Sequence, residues 1–240
     1  MPLSQSEKDL AADIDFNEFV LEAIKQECQV RMQKILLKQD VYLKDSDLSC
    51  LNDVLPAYYL EFDQDIYGVY NDEGNLLVEG LSAIVPPYID YRSIFFKLKH
   101  FLAPHGYLTI CENRVGLTPE KHKLERYIYR VLNYVIQAEL KIAVFKGEDP
   151  LDIIKIYQTN GWNYDISPKD IMNKLKLWRE VCEFEVIHAS HSSLSIEFIQ
   201  LPVNIGDFAE DIVEFCPNVQ NAQLVARKIE KYKSLYLTWN

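Results

Sequence analysis

Glycine is scarce in this chain, with 8 among 240 residues. None of them builds a Gly-x-Gly-x-x-Gly turn, a phosphate-binding loop or a Gly-x-Ser-x-Gly elbow, and a His-Glu-x-x-His pair is also absent. No cofactor-binding or metal-binding signature is therefore present. The cysteines, Cys28, Cys50, Cys111, Cys182 and Cys216, are odd in number and widely spaced, with no C-x-x-C. That excludes a zinc ribbon and a disulfide framework of the usual kind, and it predicts reduced, buried thiols in a cytoplasmic protein. Apolar runs never approach eighteen residues, so no membrane span is expected. The start, "MPLSQSEKDLAADIDF", is polar and acidic and lacks the basic opening of a signal peptide. Positive charge is in deficit: 25 Lys and Arg stand against 36 Asp and Glu, a formal net charge of −11. Nucleic acid and anionic membrane are poor partners for such a chain, because phosphate contacts need a basic stripe. Lys121, Lys123, Arg126 and Arg130 form a local basic group that reads as the solvated face of a helix.

Hydrophobic residues make up 48% of the sequence, with 15 Tyr and 11 Phe, enough for a core without staples. Residues 1 to about 12 read as a loose polar lead. Phe16, Val20, Ile24, Cys28, Met32 and Ile35 then recur as one stripe, which predicts a long N-terminal helix. "AYYLEF", "IYGVY" and "NLLVEG" read as short strands, with a hairpin turn in "YNDEGNL". Asp90 is placed to cap a helix through Phe95, Leu98 and Leu102 that stops at "APHG", before a strand in "YLTICE". A further helix is expected over residues 119–139 and a strand in "KIAVFKG".

Two helix starts share one grammar, a capping residue followed by Pro: Asp149-Pro150 and Ser167-Pro168, the second reinforced by Asp170. Ile171, Leu175, Trp178 and Cys182 are the buried stripe of the second helix. "EFEVIHA" and "LSIEFIQL" alternate with period two around "SHSS" and predict an antiparallel hairpin. Asp207-x-x-Glu210 resembles a capping box for the next helix, which carries Phe208, Ile212 and Phe215 inward and breaks at "FCPN". A last helix carries Val225, Ile229 and Tyr232, and "SLYLTWN" is a terminal strand. The fold class is α+β, with mixed or antiparallel sheets and packed helices. The division expected is an N-terminal helix plus β-meander and helix region over residues 1–115, and an α+β domain over residues 116–240.

The C-terminal order "KGEDPLDIIKIYQTNGWNYDI", "IMNKLKLWREVCEFEVI", "FAEDIVEFCPNV" and "LYLTWN" resembles a bacterial family, domain of unknown function 4253. The resemblance covers about the last hundred residues. The family's "T-N-x-x-N-Y-D" loop falls on Thr159, Asn160, Asn163, Tyr164 and Asp165. Its "E-F-C-P-D" falls on Glu214, Phe215, Cys216, Pro217 and Asn218, so an amide stands where the family has an acid. The terminal Thr238, Trp239 and Asn240 likewise replace one aromatic and one acid of the family's ending. The resemblance implies no activity.

The candidate ligand or partner site is Thr159, Asn160, Trp162, Asn163, Tyr164, Asp165, Cys216, Asn218 and Trp239. Asn and Asp side chains in "TNGWNYD" favour Asx-turns, with Gly161 free to take a positive φ, so the loop is expected to satisfy its own polar groups. Cys216 lies at a helix C-terminus, the wrong pole for a thiolate. His188 and His191 flank the hairpin turn, but His188 shares a strand face with Phe184 and Val186 and reads as a hydrogen-bonded core residue rather than a metal ligand. Acid pairs such as Asp63 with Asp65, or Asp72 with Glu73, read as exposed turn residues. No catalytic set emerges. The leading expectation is a non-enzymatic, macromolecule-binding protein, immunity-like or regulatory, that masks a basic protein through a Tyr- and Trp-rich rim. The alternative is a small-molecule enzyme or ligand-binding domain. Its pocket would lie between the "TNGWNYD" loop, the "FCPN" corner and the terminal strand, converging if that strand lies beside residues 141–145.

Overall fold

The computed structural model describes residues 2–28, 32–38, 69–70, 76–85, 91–112, 140–219 and 221–239. The strand expected at residues 57–62, the cap at Asp90, the helix over 119–139 with its basic group, and the acid pairs at 63–65 and 72–73 lie outside these residues.

The N-terminus departs from the sequence reading in two ways. The supposed loose lead is a helix, α1 (Gln5–Asp13), closed by a capping box in which Ser4 and Glu7 exchange bonds. Leu3, Ala11 and Ile14 are buried. The single long helix is also not formed. α2 (Glu18–Cys28) ends where the stripe was expected to continue, and Met32–Lys38 is strand β1. The spacing of Met32 and Ile35 fits a helix by coincidence. The consecutive Ile35, Leu36 and Leu37 fit no helical stripe, and β1 pairs with β3 over its full length, from Met32↔Ala83 to Lys38↔Leu77.

β2 (Val69–Tyr70) pairs antiparallel with the start of β3 (Leu76–Val85); the turn expected in "YNDEGNL" lies outside the described residues. α3 (Tyr91–Leu102) is followed by a 3-10 turn at Ala103–His105, and Gly106 with φ 79° reverses the chain into β4 (Tyr107–Cys111). β5 (Leu140–Lys146) precedes α4 (Asp152–Ile156), which begins later than the Pro grammar implied: Asp149 Oδ1 accepts from the Leu151 N–H at 2.9 Å as an Asx-turn. α5 (Pro168–Arg179) starts as expected, with Ser167 and Asp170 forming a capping box. The hairpin is β6 (Glu183–Ser190) and β7 (Ser193–Gln200). α6 (Ile205–Phe215) begins before Asp207, because Asn204 is the cap and its side chain accepts from the Asp207 N–H. α7 (Ala222–Tyr232) and β8 (Ser234–Thr238) complete the described chain.

Among the described residues these strands form one eight-stranded sheet, ordered β1-β3-β5-β4-β6-β7-β8, with β2 also on β3. Every pairing is antiparallel except β4 with β6. The fold is thus α+β with a mixed sheet. Alternation along β5 builds two cores. Ala143 and Phe145 face α4–α7, while Ile142 and Val144 face α1–α3. Both cores draw strand residues from each side of residue 115: Leu108 and Ile110 join the first, Ile142 and Ile187 the second.

Candidate functional site

The loop between α4 and α5 is built from its own hydrogen bonds. Asn160, almost fully buried, is the pivot. Its N–H donates to His191 O at 2.8 Å, its Nδ2 to Gln158 O at 2.8 Å, and its Oδ1 accepts from the Trp162 N–H at 3.1 Å. Gly161 and Ile166 exchange both backbone bonds, at 2.8 and 3.2 Å, and enclose a 3-10 turn at Trp162–Tyr164. The expected Asx geometry is present, since the Asn160 side chain mimics a backbone turn. Thr159 is fully buried too, and its Oγ1 has no partner among the described residues.

Gly161 serves a different purpose from the one its sequence suggested. Its φ is −119°; the left-handed positions are Gln158 and Asp165. A Cβ on Gly161 would sit 2.8 Å from Trp239 Cδ1 and 3.1 Å from Ile166 Cβ. Glycine is needed there because an indole lies against the backbone.

That indole joins the three motif segments. Trp239 is buried, its backbone N–H donates to Ser192 O at 2.9 Å, its indole N–H points to Phe215 O at 3.5 Å, and its ring stands edge-on to Phe215 at 5.9 Å. Cys216 is buried beside it, with Sγ donating to Thr238 O at 3.2 Å. Tyr164 reaches across from the loop to donate its hydroxyl to Asn218 Oδ1 at 2.5 Å. The amide at 218 therefore serves as a plain acceptor, a role a carboxylate would fill equally well. Thr159, Asn160, Tyr164, Cys216, Asn218 and Trp239 are brought together in this way. Trp162, Asn163 and Asp165 point outward, with Trp162 57% exposed.

Convergence comes about by another route than the one expected. β8 pairs with β7, from Ser193↔Thr238 to Glu197↔Ser234, and not with β5. The β6–β7 turn then carries Ser192 and His191 to the loop and to Trp239. The space between the segments is filled by the Trp239 ring.

The chemistry of the corner is that of packing. Burial pushes the Cys216 thiol above its ordinary value, against the opposing hydrogen bonds from neighbouring backbone, so a thiolate is disfavoured. His188 is buried, with Nδ1 2.8 Å from Cys111 O, and a register shift after Val186 interrupts the strand alternation at this point. Among the described residues no group of three His, Cys, Asp or Glu is arranged to hold a metal ion, and no helix is long and apolar enough to cross a membrane. The sequence reading missed a polar cluster outside this corner: Arg92, Lys99 and His100 of α3 against Glu185 and Glu197 of the hairpin. The hairpin register alone would have set the two acids opposite each other.

No curated protein and no solved structure matches the chain. Residues 141–240, which hold all nine candidate positions, match the model of the family described as a domain of unknown function, DUF4253.

Proposed function

We propose that the protein acts by binding another macromolecule, with Trp162 at the centre of the contact. The observation that carries this reading is the exposed indole on a preformed turn. Thr159, Asn160 and Trp239 are buried beneath it, and the Gly161–Ile166 bridge fixes its ends. Ordering a loop costs binding energy, and a turn already held by its own bonds avoids that cost. Trp is also among the residue types most enriched at binding hot spots. Asn163 and Asp165, both exposed beside it, supply a polar rim.

The partner we infer is a basic protein, since the chain carries a net charge of −11 and Asp165 stands at the rim. An immunity-like or regulatory role, masking such a protein, follows from that pairing. A reducing cytoplasmic compartment fits the buried Cys111, Cys182 and Cys216, which form no disulfide among the described residues. A small-molecule pocket at the same corner has less support, because Asn160 and Cys216 already hold intramolecular partners and Trp239 occupies the space between them.

The test is quantitative co-purification from the source cells with the wild type and Trp162→Ala, followed by calorimetric titration of the purified partner. The proposal expects the variant to keep its melting temperature and to lose at least tenfold in affinity, with binding weakened by salt. Equal affinity of the two proteins for that partner would refute it.

A further inference from the structure

α7 has two unlike faces. Val225 and Ile229 are buried in the core shared with the sheet. On the opposite side lie Leu224, Arg227, Lys228 and Lys231, all exposed. Their spacing is that of a single helical stripe. Asn221 sets where it begins, since its side chain caps the helix by accepting from the Leu224 N–H at 2.9 Å. The stripe is thus an apolar side chain, 52% exposed, followed by cations.

The rest of the fold treats its helical cations differently. Every Lys and Arg of α1 to α4 is held by a carboxylate: Lys8, Lys25, Arg92, Lys97, Lys99 and Lys155. Arg227 and Lys228 form no ion pair among the described residues. Acids are at hand. Glu230 follows Arg227 at the spacing of a helical ion pair, and α6, packed against α7, exposes Glu210 and Glu214. None of the three is paired with α7. Two ordinary reasons for surface cations fall short here. The helix dipole rewards a cation in the last turn, where Lys231 stands, whereas Arg227 and Lys228 lie mid-helix. Solubility is served by net charge away from zero, and in a chain at −11 each cation works against it.

We propose that the outer face of α7 docks an acidic segment of a partner protein. Its carboxylates meet Arg227 and Lys228, and an apolar side chain between them rests on Leu224. The aliphatic stems of the two cations widen the apolar contact around that leucine. Charge complementarity selects an acidic partner, and the leucine selects a peptide among acidic partners, because a phosphate backbone brings no apolar group to it. A short segment also suits the acidic chain. Salt confines each charge to about 8 Å, so the segment feels the patch and not the distant carboxylates. A long polyanion would lie over those carboxylates as well. The face shares no residue with the Trp162 turn and calls for the opposite charge, so each contact stands or falls without the other.

The experiment is fluorescence anisotropy of the full chain with a labelled peptide of repeated Glu-Glu-Leu triplets. Saturable binding is expected, and it should weaken as salt is raised. Peptides of Gln-Gln-Leu and of Glu-Glu-Ser triplets are expected to bind at least tenfold more weakly. Arg227→Gln with Lys228→Gln, and separately Leu224→Ser, are expected to lose at least tenfold in affinity. Both should keep the melting temperature, since these side chains are exposed. Lys8→Gln with Lys97→Gln removes the same charge from α1 and α3 and is expected to bind as the wild type does. The proposal is overturned if the Glu-Glu-Leu peptide shows no saturable binding, if the α7 variants bind it as the wild type does, or if the Lys8 and Lys97 changes weaken it equally. Tighter binding of oligothymidylate or of phosphatidylserine vesicles would overturn it in favour of a nucleic acid or a membrane. A dimer in sedimentation that the α7 variants dissociate would overturn it in favour of a second copy of this chain.

Discussion

Glu185 and Glu197 sit opposite each other across the β6–β7 hairpin, and one helix supplies a cation to each. Like charges at facing positions weaken a strand pair, so the hairpin depends on α3 for its local balance. Burial pushes the Lys99 ammonium below the ordinary lysine value even though Glu185 attracts its proton. Burial would raise the Glu185 carboxyl, but Lys99 and His100 together hold it below the ordinary carboxylate range. Lys99→Met leaves a half-buried carboxylate without its main partner, and the expected loss in urea unfolding is on the order of 3 kcal/mol. Lys99→Met with Glu185→Gln is expected to recover at least half of that. Equal losses in the single and double variants would show that the two side chains are uncoupled.

The Gly161–Trp239 contact predicts a non-additive pair. Trp239→Ala removes a buried indole and is expected to cost about 3–5 kcal/mol. Gly161→Ala forces a methyl against the ring, 2.8 Å from Cδ1, and is expected to cost about 1–3 kcal/mol. With the ring gone the added methyl has room, so the double variant should be no less stable than Trp239→Ala alone. Additive losses would mean that the glycine is required for its backbone and not for the approach of the indole.

The buried thiols are expected to be inert. Burial raises Cys182 to about 11 and moves Cys216 in the same direction. At pH 8 both should be alkylated by iodoacetamide far more slowly in the native protein than in the urea-unfolded chain, as read peptide by peptide in mass spectrometry. Rapid native labelling of Cys216 would restore it as a candidate nucleophile.

At the N-terminus, Lys25 at 2.6 Å and the Ser4 N–H hold the Glu7 carboxyl at about 2, against a small opposing effect of burial. A lowered carboxylate stabilises the fold above its unfolded value, and that contribution is lost as pH falls through the folded one. The loss should therefore run from about pH 4.5 down to about pH 2. Lys25→Met should bring the Glu7 carboxyl resonance back toward an ordinary midpoint; an unchanged titration would place the cause elsewhere.

Local chemistry in the sequence was a good guide wherever local chemistry decides the outcome. The Ser167–Asp170 capping box, the β6–β7 hairpin and the stripe of Ile171, Leu175 and Trp178 all form as read, while Cys182 is buried just past the end of the helix at Arg179. Long-range pairing was not legible. Met32 and Ile35 continue a helical spacing, yet β1 answers to β3, some forty-five residues away in sequence. The route of convergence at the candidate corner was hidden for the same reason, since β8 pairs with β7 and not with β5. Gly161 was misread because a close approach by Trp239 and a positive φ leave the same letter in the sequence. Arg92 and Lys99 gave no sign of their role, because their partners lie on strands that follow far downstream.

The central claim is that the turn at residues 158–166 is finished before any partner arrives, its backbone and the Asn160 amide answered by the chain itself. Native-state hydrogen exchange at the Asn160, Gly161 and Trp239 amides, which donate to His191, Ile166 and Ser192, reads this directly. Protection close to that of the sheet core is the expected result. Exchange at the rate of an open loop, slowed only when a small molecule is added, would contradict it and return the corner to being a pocket.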